Sequence, residues 1–203
     1  MTREEESELV LQAQSSDSDS FEKLVLYNQT KVYNLALRMV GNPDDAFDMS
    51  QEAFIKAYNS LGSFRGDSRF SVWLYRLTTN VCLDFLRSEG RKTHNSLTFM
   101  GDDEDSKELE IPDDRFSPET LIEKKELRER LSHGLMRLPK DYRAILLLRE
   151  IDGLSYDEIA AALSLEEGTV KSRIFRARKK LCSILSDDGN FSTKVSSKKT
   201  KEV

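Results

Sequence analysis

Between residues 93 and 117 the apolar periodicity that runs through the rest of the chain stops, and acidic residues accumulate in its place. Two strongly periodic stretches lie on either side, and this interruption limits the folds open to the chain more than any other feature. A 25-residue structureless stretch inside one compact domain is unusual, so the pattern predicts two small domains on a tether. Each flank repeats its apolar residues every three to four positions, and only four prolines and nine glycines interrupt 203 residues. The expectation is an all-α protein: an N-terminal helical domain over 1–92, an acidic linker over 93–117 and a C-terminal helical domain over 118–186. A Ser-, Lys- and Thr-rich tail over 187–203 is expected to lack fixed structure.

Several helices announce themselves locally. Asn42-Pro43 is a capped start, with proline at the first helical position where its missing N–H costs nothing. The following helix carries Ala46, Ala53 and Ala57 at helical spacing, with Phe47, Phe54 and Tyr58 beside them. After a loop, Leu61 to Asp67, a long helix is expected from about Ser68 to Ser88. Phe70, Leu74, Leu77, Val81 and Phe85 make its apolar stripe. Ser117-Pro118-Glu119 restarts helix after the linker, and further helices are expected over 142–150, 155–163 and from Glu166 to Leu185.

Composition excludes several function classes. The longest apolar run, Ala144 to Leu148, is too short to cross a bilayer, and the acidic start Thr2-Arg3-Glu4-Glu5-Glu6 does not resemble a signal peptide. A cytoplasmic protein without direct membrane insertion is expected. Cys82 and Cys182 lack metal-ligand spacing and are expected to be two buried thiols. His94 and His133 stand apart from any Cys or carboxylate cluster. No phosphate loop or nucleophile motif occurs, so no catalytic residue, metal, cofactor or small-molecule substrate is expected.

The net charge of −5 hides a segregation. Residues 102–119 carry nine acids against two bases, leaving the remainder slightly positive, whereas residues 168–185 carry six bases and no acid. Those bases lie on the second member of a bihelical pattern. Ser155-Tyr156-Asp157-Glu158 is a capping box opening a short helix with Ile159, Ala160 and Leu163 on its apolar face. A turn at Ser164-Leu165 leads to a second helix with a buried stripe of Val170, Ile174, Ala177, Leu181 and Ile184. Thr169, Lys171, Ser172, Arg173, Phe175, Arg176 and Lys179 occupy its other faces. Hydroxyls, guanidinium groups and an aromatic suit the edges and phosphates of a DNA major groove. A merely solvated basic helix is the plain alternative, and an acid-free face on the second helix of such a pair argues against it.

The long N-terminal helix has a second face. Trp73, Arg76, Asn80 and Arg87 follow at spacings of three, four and seven, with Phe64, Arg65 and Asp67 in the preceding loop. Aromatics that replace base stacking, arginines that follow phosphate and an amide that reads a base edge suit unpaired DNA. On spacing alone Trp73 could equally be core and Asn80 ordinary surface. The patch Asp48, Gln51 and Glu52 beside Ile55 could face solvent or a partner helix, and spacing does not decide.

Three ordered blocks carry a family resemblance: Asp45-Ala46-Phe47-Asp48-Met49-Ser50-Gln51-Glu52-Ala53-Phe54-Ile55-Lys56-Ala57-Tyr58; Phe64-Arg65-Gly66-Asp67 with Trp73-Leu74-Tyr75-Arg76 and Asn80; and Leu138-Pro139 with Gly153-Leu154-Ser155-Tyr156-Asp157-Glu158-Ile159-Ala160 and Gly168-Thr169-Val170-Lys171-Ser172-Arg173. Across roughly residues 19–186 the chain resembles the extracytoplasmic-function group of bacterial RNA polymerase sigma factors. The resemblance implies a transcription initiation factor whose partners are core RNA polymerase, promoter DNA and an anti-sigma factor. It implies that Asp48, Gln51, Glu52 and Ile55 grip the polymerase clamp helices. Phe64, Arg65, Trp73, Arg76, Asn80 and Arg87 would capture the melted −10 element, and the helix from Glu166 would read the −35 element. The acidic linker would thread a basic channel meant for RNA.

Two rivals come from other classes. A conventional helix-turn-helix regulator with a ligand-sensing N-terminal domain leaves the Trp73, Arg76 and Asn80 face unexplained. A nuclease would need a metal-holding cluster, for which Asp44, Asp45 and Asp48 are the nearest acids.

Overall fold

The computed structural model describes the backbone of residues 1–95 and 118–187, and the side chains of 1–90 and 125–187. The acidic stretch 96–117 and the tail from 188 lie outside the described residues. Every regular element among them is helical.

Four α-helices build the N-terminal half: α1 (Arg3–Gln14), α2 (Ser18–Val40), α3 (Pro43–Ser60) and α4 (Phe70–Asn95), with a 3₁₀ turn, Leu61–Ser63, closing α3. Caps set their ends. Asp17 caps α2, and Asn42 accepts hydrogen bonds from the N–H groups of Asp44 and Asp45 at 2.8 and 3.1 Å to start α3. Gly41, at φ 84°, turns the chain between α2 and α3, a left-handed conformation that glycine adopts without steric cost. The expected stripe of α4 is the core: Phe70, Leu74 and Val81 are buried, and Leu77 and Phe85 pack against them. Ala46, Ala53 and Ala57 of α3 are fully buried, which lets α2, α3 and α4 approach closely. Leu24, Val32, Leu35 and Met39 of α2 complete this core.

Two features here were not expected from sequence. Helix α1 precedes the first anticipated helix, opened by a capping box in which Thr2 and Glu5 exchange hydrogen bonds. Helix α4 starts at Phe70 rather than Ser68, and it continues to Asn95, well past the fading of its apolar stripe at Ser88.

The C-terminal half comprises α5 (Pro118–Met136), α6 (Lys140–Leu146), α7 (Tyr156–Leu163) and α8 (Glu167–Asp187). The helix expected over 142–150 begins as α6 and ends as a π-helical turn, Leu147–Ile151. The buried run Ala144 to Leu148 forms the centre of this core, against Leu154, Ile159, Val170, Ile174 and Ala177.

The halves touch, with α4 packed on α7 and α2 on α5. Arg143 of α6 stitches the junction. Its side chain is buried, and its guanidinium donates to the carbonyls of Leu135, Met136 and Leu138 at 3.0, 2.7 and 3.3 Å, and to that of Met39 across the junction. These carbonyls cluster where the negative ends of α2 and α5 converge, which suits a buried cation. A Cβ at Gly41 would run into the end of Met136, so α2 and α5 meet there without space to spare.

The expected pair of buried cysteines is half right. Cys82 is buried, and its thiol is pushed up to about 12 by burial. Cys182 is exposed, because it falls one position off the buried stripe of α8.

Candidate nucleic-acid and partner interfaces

Helices α7 and α8 form the expected bihelical unit. Ser155 caps α7, and Glu158 reaches back to accept from the Ser155 N–H at 2.8 Å. The turn residue Ser164 sits at φ 53°, ψ 50°, the left-handed conformation for which glycine is the usual solution. The Leu165 N–H closes the turn on the Ala160 carbonyl at 2.9 Å. Helix α8 then starts at Glu167, one residue later than expected, and buries Val170, Ile174, Ala177 and Ile184. Leu181 is only partly buried.

That packing leaves Lys171, Ser172, Phe175, Arg176 and Lys179 exposed, with Thr169 and Arg173 half-buried. Phe175 is 70% exposed, the most open of the large hydrophobic side chains among the described residues. Not every base on α8 is equally available. Lys171 is held by Glu167 at 2.6 Å and lies 5.6 Å from the Tyr156 ring centroid. Its hydrogen bond to Glu167 raises the ammonium pKa. Arg178 is engaged by Glu150 of the π-helical turn.

The aromatic face of α4 is more built than sequence spacing suggested. Trp73 is half-buried rather than open, because Phe64 from the loop and Phe70 lie against it, with ring centroids 5.1 and 5.6 Å away. Arg76 and Asn80 are exposed further along the helix, as are Arg65 and Asp67 in the loop. Arg87 is exposed and pairs with Asp84 at 2.7 Å. Asn80 and Arg87 also line a cleft of about 300 Å³ at the junction, together with Leu83, Asp141, Ala144, Leu163 and Arg173. One residue of the α8 set therefore meets two of the α4 set.

On α3, Asp48, Gln51, Glu52 and Ile55 are all exposed, and Glu52 pairs with Lys56 at 2.7 Å. Phe47 and Tyr58, beside the buried alanines in sequence, turn outward at 57% and 59% exposure. With Ile55, also 59% exposed, they give this face an apolar component that spacing had not separated from the core. The neighbouring Asp45 carboxyl is pushed up by partial desolvation and then by Glu89, Asp48 and Asp44. Among the described residues no group of three or more His, Cys, Asp or Glu is arranged to hold a metal ion. No helix among them is long and apolar enough to cross a membrane.

Comparison with known proteins meets this geometry. Sigma-70 region 2 matches residues 24–92, and Sigma-70 region 4 matches residues 128–181. The chain is 40% identical over 184 residues to the RNA polymerase sigma-H factor of Pseudomonas aeruginosa, spanning 88% of this chain and 92% of that one. It is 43% identical over 170 residues to the ECF RNA polymerase sigma-E factor of Escherichia coli K12, spanning 84% and 88%. Among solved structures it is similar to CnrH in complex with the cytosolic domain of CnrY, at TM-score 0.64 and 26% identity over 91% of this chain and 99% of that one. It is equally similar to the sigma factor RpoE in complex with the anti-sigma factor NepR from Bartonella quintana, at TM-score 0.64 and 25% identity over 83% and 98%. With two helical regions in the right order and full-length relatives at this identity, the chain belongs to the extracytoplasmic-function group of RNA polymerase sigma factors.

Proposed function

We propose that this sigma factor divides its work among three faces. Asp48, Gln51, Glu52 and Ile55 on α3, extended by Phe47 and Tyr58, bind core polymerase. Thr169, Lys171, Ser172, Arg173, Phe175, Arg176 and Lys179 on α8 read the −35 duplex. Phe64, Arg65, Trp73, Arg76, Asn80 and Arg87 hold the melted −10 strand. The observation that carries this reading is the Phe64–Trp73 aromatic step beside exposed Arg76 and Asn80, for which a conventional helix-turn-helix regulator has no use.

The mechanism follows from what each face can do. Docking on polymerase adds electrostatic attraction to a chain that carries little net positive charge outside its acidic segment. The α8 face positions the duplex through phosphate and base-edge contacts. Extruded bases stack on Trp73 and Phe64, so strand opening is driven by binding free energy rather than covalent chemistry. Sigma factors are non-catalytic initiation factors, and none of these faces needs a nucleophile or metal. Residues 1–92 and 118–186 act as the two functional domains, and 93–117 as the tether between them. The site of action is the cytoplasm, where polymerase works. Both solved relatives named above are held by a partner protein, and an anti-sigma factor is the corresponding partner here.

Run-off transcription with bacterial core polymerase on a genomic promoter pool tests the reading. New discrete start sites are expected with the wild-type chain. They should be lost in a folded Asp48→Ala/Gln51→Ala/Glu52→Ala variant. Tight, core-independent duplex binding without new starts would overturn it.

A further inference from the structure

Helix α1 belongs to none of the three faces, yet it touches the aromatic one at two points. Gln14, the last residue of α1, donates through Nε2 to the carbonyls of Leu61 and Phe64 at 2.9 and 2.8 Å. Both amide hydrogens of one side chain are thereby committed to the backbone of the loop that carries Phe64 and Arg65. Eight residues earlier, Glu6 is only 6% exposed, and its Oε1 accepts the Ser71 N–H at 3.1 Å. The first N–H groups of α4 have no partner within the helix, so a carboxylate there acts as a cap supplied from another helix.

These contacts bear on one gap. The 3₁₀ turn delivers Phe64, and α4 delivers Trp73, from opposite sides of the aromatic step. Loop backbone held only by its own turn would move easily, since the Phe64 N–H bonds back to Leu61 within the same turn. Gln14 ties that turn to α1, and Glu6 ties the start of α4 to the same helix. Stacking depends on the separation and tilt of the two rings, so the rigidity of this frame enters the binding of every base placed on it.

We propose that Gln14 and Glu6 are positioning residues for single-strand capture, setting the Phe64–Trp73 geometry from α1 without touching DNA. This rests on the reading that the aromatic face binds unpaired DNA.

The test uses the full chain, in which Trp73 is the sole tryptophan, so that intrinsic emission reports this site alone. Acrylamide quenching is measured without DNA, and titration with a randomised single-stranded DNA hexamer pool follows by the same signal. Gln14→Met keeps the side-chain length and removes both donors. It should make Trp73 more accessible to quencher and weaken hexamer binding roughly three- to tenfold, the scale of one or two lost hydrogen bonds. The urea midpoint should fall modestly, because Gln14 is half-buried and two loop carbonyls lose their donor, so both chains are compared well below their midpoints. Glu6→Gln keeps an acceptor for the Ser71 N–H and should remain close to wild type, whereas Glu6→Leu should follow Gln14→Met. If the wild-type chain binds hexamers and Gln14→Met matches it in both quenching and affinity, the positioning role is overturned alone. If the wild-type chain shows no hexamer binding, alone or on core polymerase where polarisation of a labelled hexamer replaces the tryptophan signal, the capture reading fails, and this proposal fails with it.

Discussion

The indole of Trp73 leans on the ring of Phe64 with centroids 5.1 Å apart and planes inclined at 43°, while Arg76 and Asn80 on the same helix are exposed. An aromatic step of this kind leaves part of the indole open while anchoring the rest. Trp73→Ala should therefore cost about 1–3 kcal/mol per stacked base in the binding of polymerase holoenzyme to −10 single strands. Binding to a −35 duplex fragment should be unchanged. Fluorescence polarisation with the two DNA probes measures both, and equal losses on both would count against a strand-capturing role for the tryptophan.

The bases of α8 should not contribute alike. Arg176 and Lys179 are exposed, and replacing either with Ala should leave the fold intact and weaken −35 duplex binding. For each phosphate no longer neutralised, the slope of log affinity against log salt should fall by about 1. Glu167 works in the opposite sense, since it holds Lys171 at 2.6 Å at the edge of the same face. Glu167→Gln should tighten duplex binding, and an unchanged affinity would mean that Lys171 takes no part in it.

Ser155 opens α7 through a reciprocal cap with Glu158. Ser155→Ala removes the side-chain half of that cap and should lower stability by about 1 kcal/mol, read from urea unfolding. Its effect on duplex binding should be indirect, through the placement of α8 against α7.

Asp152 supplies a pH dependence. Its Oδ2 is buried without a hydrogen-bond partner among the described residues, and burial pushes the carboxyl up from 3.8 to about 6, although Arg38 and Lys31 of α2 pull the other way. Tyr75 of α4 faces the same place, and its phenol is pushed up to about 12 by burial and then by Asp152. A native state that binds the Asp152 proton more tightly than the unfolded chain is favoured below about pH 4 and loses that advantage as the pH rises through 6. The full span is on the order of 3 kcal/mol. The stability of Asp152→Asn relative to wild type should accordingly grow between pH 4 and pH 7. A constant difference across that range would show that Asp152 titrates normally.

Much of this arrangement was legible from side-chain periodicity. The stripe of α4, the alanines of α3 and the cap of α7 depend on local spacing, and each lies where spacing put it. Helix α1 was readable in principle, from Thr2 and Glu5 as a capping box, but its value lies in Gln14 and Glu6. Their partners are 47 to 65 residues away, and no local pattern records them. Phe47 and Tyr58 escaped for a related reason. A helix with alanines on its buried side shows little contrast between aromatics that pack and aromatics that point outward. The π-helical turn at Leu147–Ile151 leaves no mark either: Leu147 and Leu148 simply continue the buried run from Ala144, and local spacing does not distinguish the two windings.

Arg143 has a consequence for how readily the halves can part. Three of its four carbonyl partners, those of Leu135, Met136 and Leu138, travel with it, and only Met39 belongs to the other side. Separation would therefore leave the guanidinium mostly satisfied, so the junction can come undone without stranding a buried charge. Asn80, Arg87 and Arg173 share a single cleft, whereas successive turns of duplex lie about 34 Å apart, so the proposed division of −10 and −35 contacts between α4 and α8 would require the halves to unclasp along this seam.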